Sequence, residues 1–271
     1  MTTTHILEGP GVRLHYEIRG TGPLLLIMGA PMDASAFAPL AEALASDHTV
    51  VTHDPRGISR SVLDDPEQDS TPELRADDVA ALLDALGAES ADVFGSSGGA
   101  VTGLALVARH PGRVRTLVAH EPPVVELLPD AAEQRAKVED LVETFHRDGL
   151  EAAWRKFMAG AGFEDGADGA PVAAPDEPSL QDLANSARFF GHELRGTSLY
   201  RPDIDALRTG PSRVEVGIGA DSGGLDTFRT STALAELLGR PPVGFPGDHG
   251  GFMGDPQGFA EALRKVLADG A

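Results

Sequence analysis

The chain has 271 residues, 41% of them hydrophobic, which is enough to bury one large core or a core carrying an insertion. Its formal net charge of −20 argues against nucleic acid, because phosphate binding needs clustered Lys and Arg, and against docking on an anionic membrane surface. The absence of cysteine excludes disulfides, thiolate catalysis and cysteine-ligated zinc or iron–sulfur sites.

Met1 to His15 shows no basic start followed by an apolar core, so no signal peptide is expected. No run approaches the ~18 apolar residues of a membrane span, and a cytoplasmic location is the expectation. Val12 to Ile18 alternates apolar and polar residues, as a half-exposed strand does. Leu24 to Met28 is continuously apolar, the pattern of a strand covered on both faces of a parallel sheet. Ser35 to Ala45 reads as a helix, Thr49 to Thr52 as a strand, and Thr71 to Leu86 as a helix with Pro72 in its first turn. The short strand Ala91 to Phe94 then runs into Gly95-Ser96-Ser97-Gly98-Gly99 and a helix from Ala100 to His110, and Val114 to Ala119 is a further strand. This strand–helix alternation predicts an α/β fold with a mostly parallel central sheet flanked by helices.

The alternation breaks after Glu121-Pro122-Pro123. Three amphipathic helical patterns follow, marked by Val138 to Phe145, Trp154 to Met158 and Leu183 to Phe190, with a Gly/Ala/Asp/Pro-rich loop from Gly160 to Pro178 between the last two. Strand signals return at Val214 to Ile218 and Pro242 to Phe245, with helices at Thr230 to Leu238 and Pro256 to Leu267. Residues 1–121 and 202–271 are therefore expected to form a sheet domain, and residues 122–201 a helical cap inserted into it.

Gly95-Ser96-Ser97-Gly98-Gly99 has the G-x-S-x-G spacing of a nucleophile elbow in a strand–turn–helix context. A serine is exposed above a sheet only by a sharp turn, and that turn brings strand and helix too close for side chains two residues to either side. Gly95 and Gly99 flank Ser97 at that distance, whereas Ser96 is preceded at the same distance by Phe94, so Ser97 is the candidate nucleophile.

With these motifs in order, nearly the whole chain resembles the α/β-hydrolase fold family, with a helical cap inserted after the sixth core strand. The resemblance implies a triad in the chain order Ser, acid, His. Ser97 takes the first place. Asp221, closing the strand Val214 to Ala220, takes the second, and His249, in Gly247-Asp248-His249-Gly250-Gly251-Phe252, the third. Met28-Gly29-Ala30-Pro31 resembles the family's oxyanion loop, and Asp54-Pro55-Arg56-Gly57-Ile58-Ser59-Arg60-Ser61 the segment after its fourth strand. The oxyanion donors implied are the backbone N–H groups of Ala30 and Gly98, since Pro31 has none. Met28 departs from the histidine common before the loop glycine. Glu121, at the end of the preceding strand, and Asp248, beside the histidine, are the alternatives to Asp221.

The expected activity is hydrolysis of a carboxylic ester, or a related lactone or thioester, of an apolar or aromatic small molecule through an acyl-enzyme. A non-hydrolytic lyase or ligand-binding protein, a perhydrolase and a C–C hydrolase are the alternatives on the same fold. No metal or cofactor is expected. The histidines lack ligand spacing, and Gly217-Ile218-Gly219-Ala220-Asp221-Ser222 lacks the third glycine of a dinucleotide loop. Phe145, Trp154, Phe157, Phe163, Phe189, Phe190 and Tyr200 concentrate in the cap; each packs the cap or walls an apolar pocket. Oligomeric state is not readable from these residues.

Overall fold

The computed structural model describes residues 2–162 and 178–268. Its strands are β1 (Thr2–Gly9), β2 (Val12–Arg19), β3 (Leu24–Met28), β4 (Thr49–His53), β5 (Val62–Leu63), β6 (Ala91–Ser96), β7 (Val114–His120), β8 (Arg213–Gly219) and β9 (Val243–Phe245). The helices are α1 (Ala38–Leu44), α2 (Pro72–Ala85), α3 (Gly98–Arg109), α4 (Ala131–Asp148), α5 (Leu150–Ala161), α6 (Leu180–Arg188), α7 (Leu194–Ser198), α8 (Ile204–Thr209), α9 (Asp226–Leu238), α10 (Gly251–Gly254) and α11 (Pro256–Ala268). No helix among the described residues is long and apolar enough to cross a membrane.

All strands join one sheet in the order β1-β2-β4-β3-β6-β7-β8-β9, with β5 pairing β2. From β4 to β9 every pairing is parallel, while β1 and β2 are antiparallel additions at one edge. The core follows from the two-residue period of a strand. Leu26, Met28, Val93, Leu117 and Ala119 face a cluster built with α2, α3 and α9. Leu25, Ile27, Phe94 and Val118 face the opposite cluster, built with α1 and α11. Each such fully buried Val, Leu, Ile, Met or Phe side chain contributes about 1.5–3 kcal/mol.

The sequence reading passes over β1. Its Thr2-Thr3-Thr4 start is exposed, so neither face imposes an apolar period, and it is held by an eight-residue ladder with β2 across a Pro10-Gly11 turn in which Gly11 has φ +71°. Between β7 and β8 the regular elements among the described residues are all helical, and α4, α5 and the segment from Phe189 to Leu194 share a separate apolar cluster. β7 is the seventh strand in the chain, and the sixth when the two-residue β5 is set aside. Phe163 and most of the expected loop from Gly160 to Pro178 lie outside the described residues.

Chain order and sheet order together locate a crevice. From β3 the chain moves to β4 on one side and later returns to β6 on the other, so the crossovers diverge between β3 and β6. Ligand crevices of open α/β sheets lie at the carboxyl ends of strands at such a reversal. Met28 pairs with Gly95 there, which sets Gly29-Ala30 beside Ser96-Ser97.

Candidate active site

Ser97 joins β6 directly to α3 with φ +56° and ψ −123°, a conformation that costs a non-glycine residue on the order of 1–3 kcal/mol. The neighbouring glycines allow it. A Cβ on Gly95 would lie 2.5 Å from Gly99 O, one on Gly99 2.2 Å from Met28 O, and one on Gly98 2.4 Å from Ala30 O. Gly99→Ala should therefore destabilise the fold by about 1–3 kcal/mol, through an overpacked contact with backbone that cannot rotate away; an unchanged denaturation midpoint would contradict this. The Gly98 contact also shows how closely the two expected oxyanion donors approach. Gly98 opens α3, whose first-turn amides have no acceptor within the helix, so the positive end of its dipole faces the crevice.

The two serines differ in surroundings. Ser96 is fully buried, with Oγ 3.1 Å from His120 Nδ1. Ser97 is partly exposed, and its N–H donates to His120 O at 2.9 Å, tying the elbow to the end of β7. Because Ser96 pairs with His120 in register, Glu121 follows β7 where Ser97 follows β6.

His249, in the loop between β9 and α10, places Nδ1 2.7 Å from Glu121 Oε2. The carboxylate brought to this histidine is thus Glu121, not Asp221, and the expectation for the acid is corrected on this point. Asp221 lies on an exposed turn after β8, where its N–H donates to Gly247 O. Its carboxylate makes no hydrogen bond among the described residues. The end of β8 instead sends the Gly219 N–H inward to Glu121 Oε1 at 2.9 Å, and Ser222 N–H closes back on Gly219 O, which carries Asp221 outward. Asp248, the other alternative, accepts a 2.8 Å hydrogen bond from Gly250 N–H within its own loop. The glycines of Gly217 to Ser222 serve close packing, since a Cβ on Gly219 would lie 2.6 Å from Gly247 O in the histidine loop.

Glu121 is fully buried and has φ +49°, so two of the three non-glycine residues with positive φ among the described residues, Ser97 and Glu121, stand side by side at this crevice. Burial alone would raise its pKa. The hydrogen bond from His249 and the His120 and His249 charges outweigh that and hold the carboxyl at about 2; Thr227 Oγ1 also donates to it at 2.9 Å. A carboxylate ionised throughout the working range can only accept, so Nδ1 is the protonated nitrogen of neutral His249. The His120 ring lies 6.3 Å from that of His249, near parallel. Burial lowers its pKa to about 4 despite Glu121, so it is uncharged at neutral pH and leaves the carboxylate to His249.

The sequence marks Glu121 as a carboxylate following an apolar strand, a description that Asp221 shares. The described aromatics between β7 and β8 mainly pack on each other. Trp154 stacks on Phe189 with ring centroids 6.0 Å apart, Phe145 on Phe190 at 5.8 Å, and Phe157 meets Trp154 edge-on at 5.5 Å. Tyr200 packs against the large core cluster. No group of three or more His, Asp or Glu among the described residues is arranged to hold a metal ion.

A family model described as alpha/beta hydrolase fold matches residues 22–153. The uncharacterized hydrolase YraK of Bacillus subtilis (strain 168) is 34% identical over 273 residues, covering 96% of this chain and 94% of that protein. A zearalenone hydrolase of Cladophialophora bantiana is 38% identical over 122 residues, 44% of this chain and 46% of that protein. The structure of a thermophilic esterase from Thermogutta terrifontis superposes with a TM-score of 0.74 at 21% identity, covering 100% of this chain and 99% of that one, a likeness of fold.

Proposed function

Because this chain belongs to the α/β-hydrolase fold family, we propose that it is a serine hydrolase cleaving a carboxylic ester, or a related lactone or thioester, with Ser97 as nucleophile, His249 as base and Glu121 as the orienting acid. The observation that carries this reading is the 2.7 Å pair of His249 and Glu121, held at the strand end next to the strained Ser97. With Nδ1 engaged by the carboxylate, Nε2 is the nitrogen that takes the Ser97 proton as Oγ attacks the carbonyl carbon. Glu121 then faces an imidazolium and stabilises it without itself accepting the proton. The Ala30 and Gly98 amides donate to the developing oxyanion, each such donor being worth about 3–4 kcal/mol. His249 next protonates the leaving oxygen or sulfur. Water, deprotonated by the same nitrogen, releases the acid from Ser97.

The charge of −20 favours an uncharged acyl group over an anionic one, and an apolar or aromatic small molecule is the proposed substrate class. A fluorophosphonate probe should label Ser97, as read by peptide mass spectrometry, and a panel of esters, lactones and thioesters should include at least one turned over in steady state. Failure of the probe to mark Ser97 would refute the nucleophile assignment; labelling without any turnover would favour a binding protein on the same fold.

A further inference from the structure

The loop bearing Ala30 is held by more than the sheet. Asp33 lies three residues beyond Ala30, and its Oδ2 accepts a 2.5 Å hydrogen bond from Ser59 Oγ, while Oδ1 accepts from the N–H and hydroxyl of Ser35. Ser59 is in turn engaged by Asn185 on α6. Its N–H donates to Asn185 Oδ1 at 2.9 Å, and Asn185 Nδ2 donates to Ser59 Oγ at 2.9 Å. One hydroxyl therefore accepts from the helical segment and donates to the Ala30 loop, and one amide group engages both the N–H and the hydroxyl of the serine. Ala34 N–H, next to Asp33, donates to Asp54 Oδ1 at 3.0 Å, which fixes the loop's far side to the core independently of α6.

Ser59 is also the third non-glycine residue with positive φ among the described residues, at +51°. Glycine occupies that region without steric cost, so a serine there is held at a disadvantage that only its side chain offsets. What a glycine would forfeit is the pair of bonds made by the hydroxyl. The docking of α6 does not depend on Asn185 alone. Arg188 donates to Pro66 O, Gln68 O and Ser70 Oγ at 2.7–2.8 Å, so the helix has a second anchor on the core.

We propose that Ser59 and Asn185 are positioning residues for the oxyanion hole, acting through Asp33 to set the Ala30 amide, so that seating of α6 and alignment of that amide are one event. The inference rests on Ser97 as nucleophile and Ala30 as donor. It assigns the segment between β7 and β8 a part in transition-state stabilisation. Loss of the link misaims one donor without removing it, which should slow chemistry more than it weakens ground-state binding.

The test compares wild type, Ser59→Gly, Asn185→Ala and the double variant by three readouts. These are the rate of Ser97 phosphonylation by a fluorophosphonate, kcat and KM on any ester the wild type turns over, and the thermal midpoint. Phosphonylation reads the hole without knowledge of the natural substrate, because the phosphoryl oxygen occupies it. Ser59→Gly should melt no lower than wild type, yet react about tenfold more slowly with the probe, with kcat reduced in parallel and KM within about twofold. Asn185→Ala should slow both rates in the same direction. The double variant should be no slower than Ser59→Gly within about twofold, because the two residues act in series. Wild-type rates in Ser59→Gly, a loss of rate that merely follows a lowered thermal midpoint, or deficits that multiply in the double variant would each overturn the proposal. If the wild type itself is not labelled at Ser97, the hydrolase reading falls and takes this inference with it; normal wild-type labelling with an equally reactive Ser59→Gly sinks only the positioning role.

Discussion

Ser97→Ala is expected to lower kcat by about four to six orders of magnitude while leaving the thermal midpoint close to that of the wild type. The loss is large because, in the proposed mechanism, the residue supplies the only protein atom that bonds to the acyl carbon, and what remains is substrate binding and the backbone donors. The fold is spared because the side chain of Ser97 is partly exposed and the turn is enforced by Gly95, Gly98 and Gly99, none of which changes. Alanine accepts φ +56° about as poorly as serine does, so the strain neither grows nor disappears. Turnover of the best ester of the panel at a rate within tenfold of wild type would remove Ser97 from the mechanism.

The second large effect separates the two carboxylates. Glu121→Gln should reduce kcat by about 10³–10⁴-fold, because the amide can present its NH₂ group to His249, favour the wrong tautomer and fail to stabilise the imidazolium. Asp221→Asn should change kcat by less than about threefold, since that side chain sits on an exposed turn and its neighbours are held by backbone. The reverse ranking would restore Asp221 as the acid. Stability supplies an independent check. The folded-state pKa of Glu121 is depressed to about 2 from the usual 4.5, so its contribution is fully present above about pH 4.5 and is lost as pH falls towards 2. The wild type should therefore lose stability relative to Glu121→Gln across that acid window, and parallel melting curves would contradict the ionised, hydrogen-bonded carboxylate.

Much of the fold was legible because burial leaves a periodic trace. Leu24 to Met28 is apolar throughout since both faces of β3 are covered, and Pro72 marks the first turn of α2 in the sequence itself. β1 was not legible because an exposed edge strand has no face to mark. The elbow could be read because sterics alone demand its glycines. The acid could not be chosen that way, because which carboxylate meets a histidine 128 positions on in the chain depends on how two loops turn. Asp221 and Glu121 both end core strands. Only the inward Gly219 N–H and the outward turn at Ser222 decide between them, and neither leaves a residue-type signature.

The order of parts along the chain gives the site an unequal construction. The proposed nucleophile, acid and both backbone donors are complete by residue 121, fastened to one another through β3, β6 and β7, whereas the proposed base arrives only with the loop after β9. The helices between β7 and β8 are thus spliced into the one covalent interval that separates acid from base. A change in the length of that interval would leave Ala30, Ser97, Gly98 and Glu121 on their strands, with the His249 contact alone to be re-established.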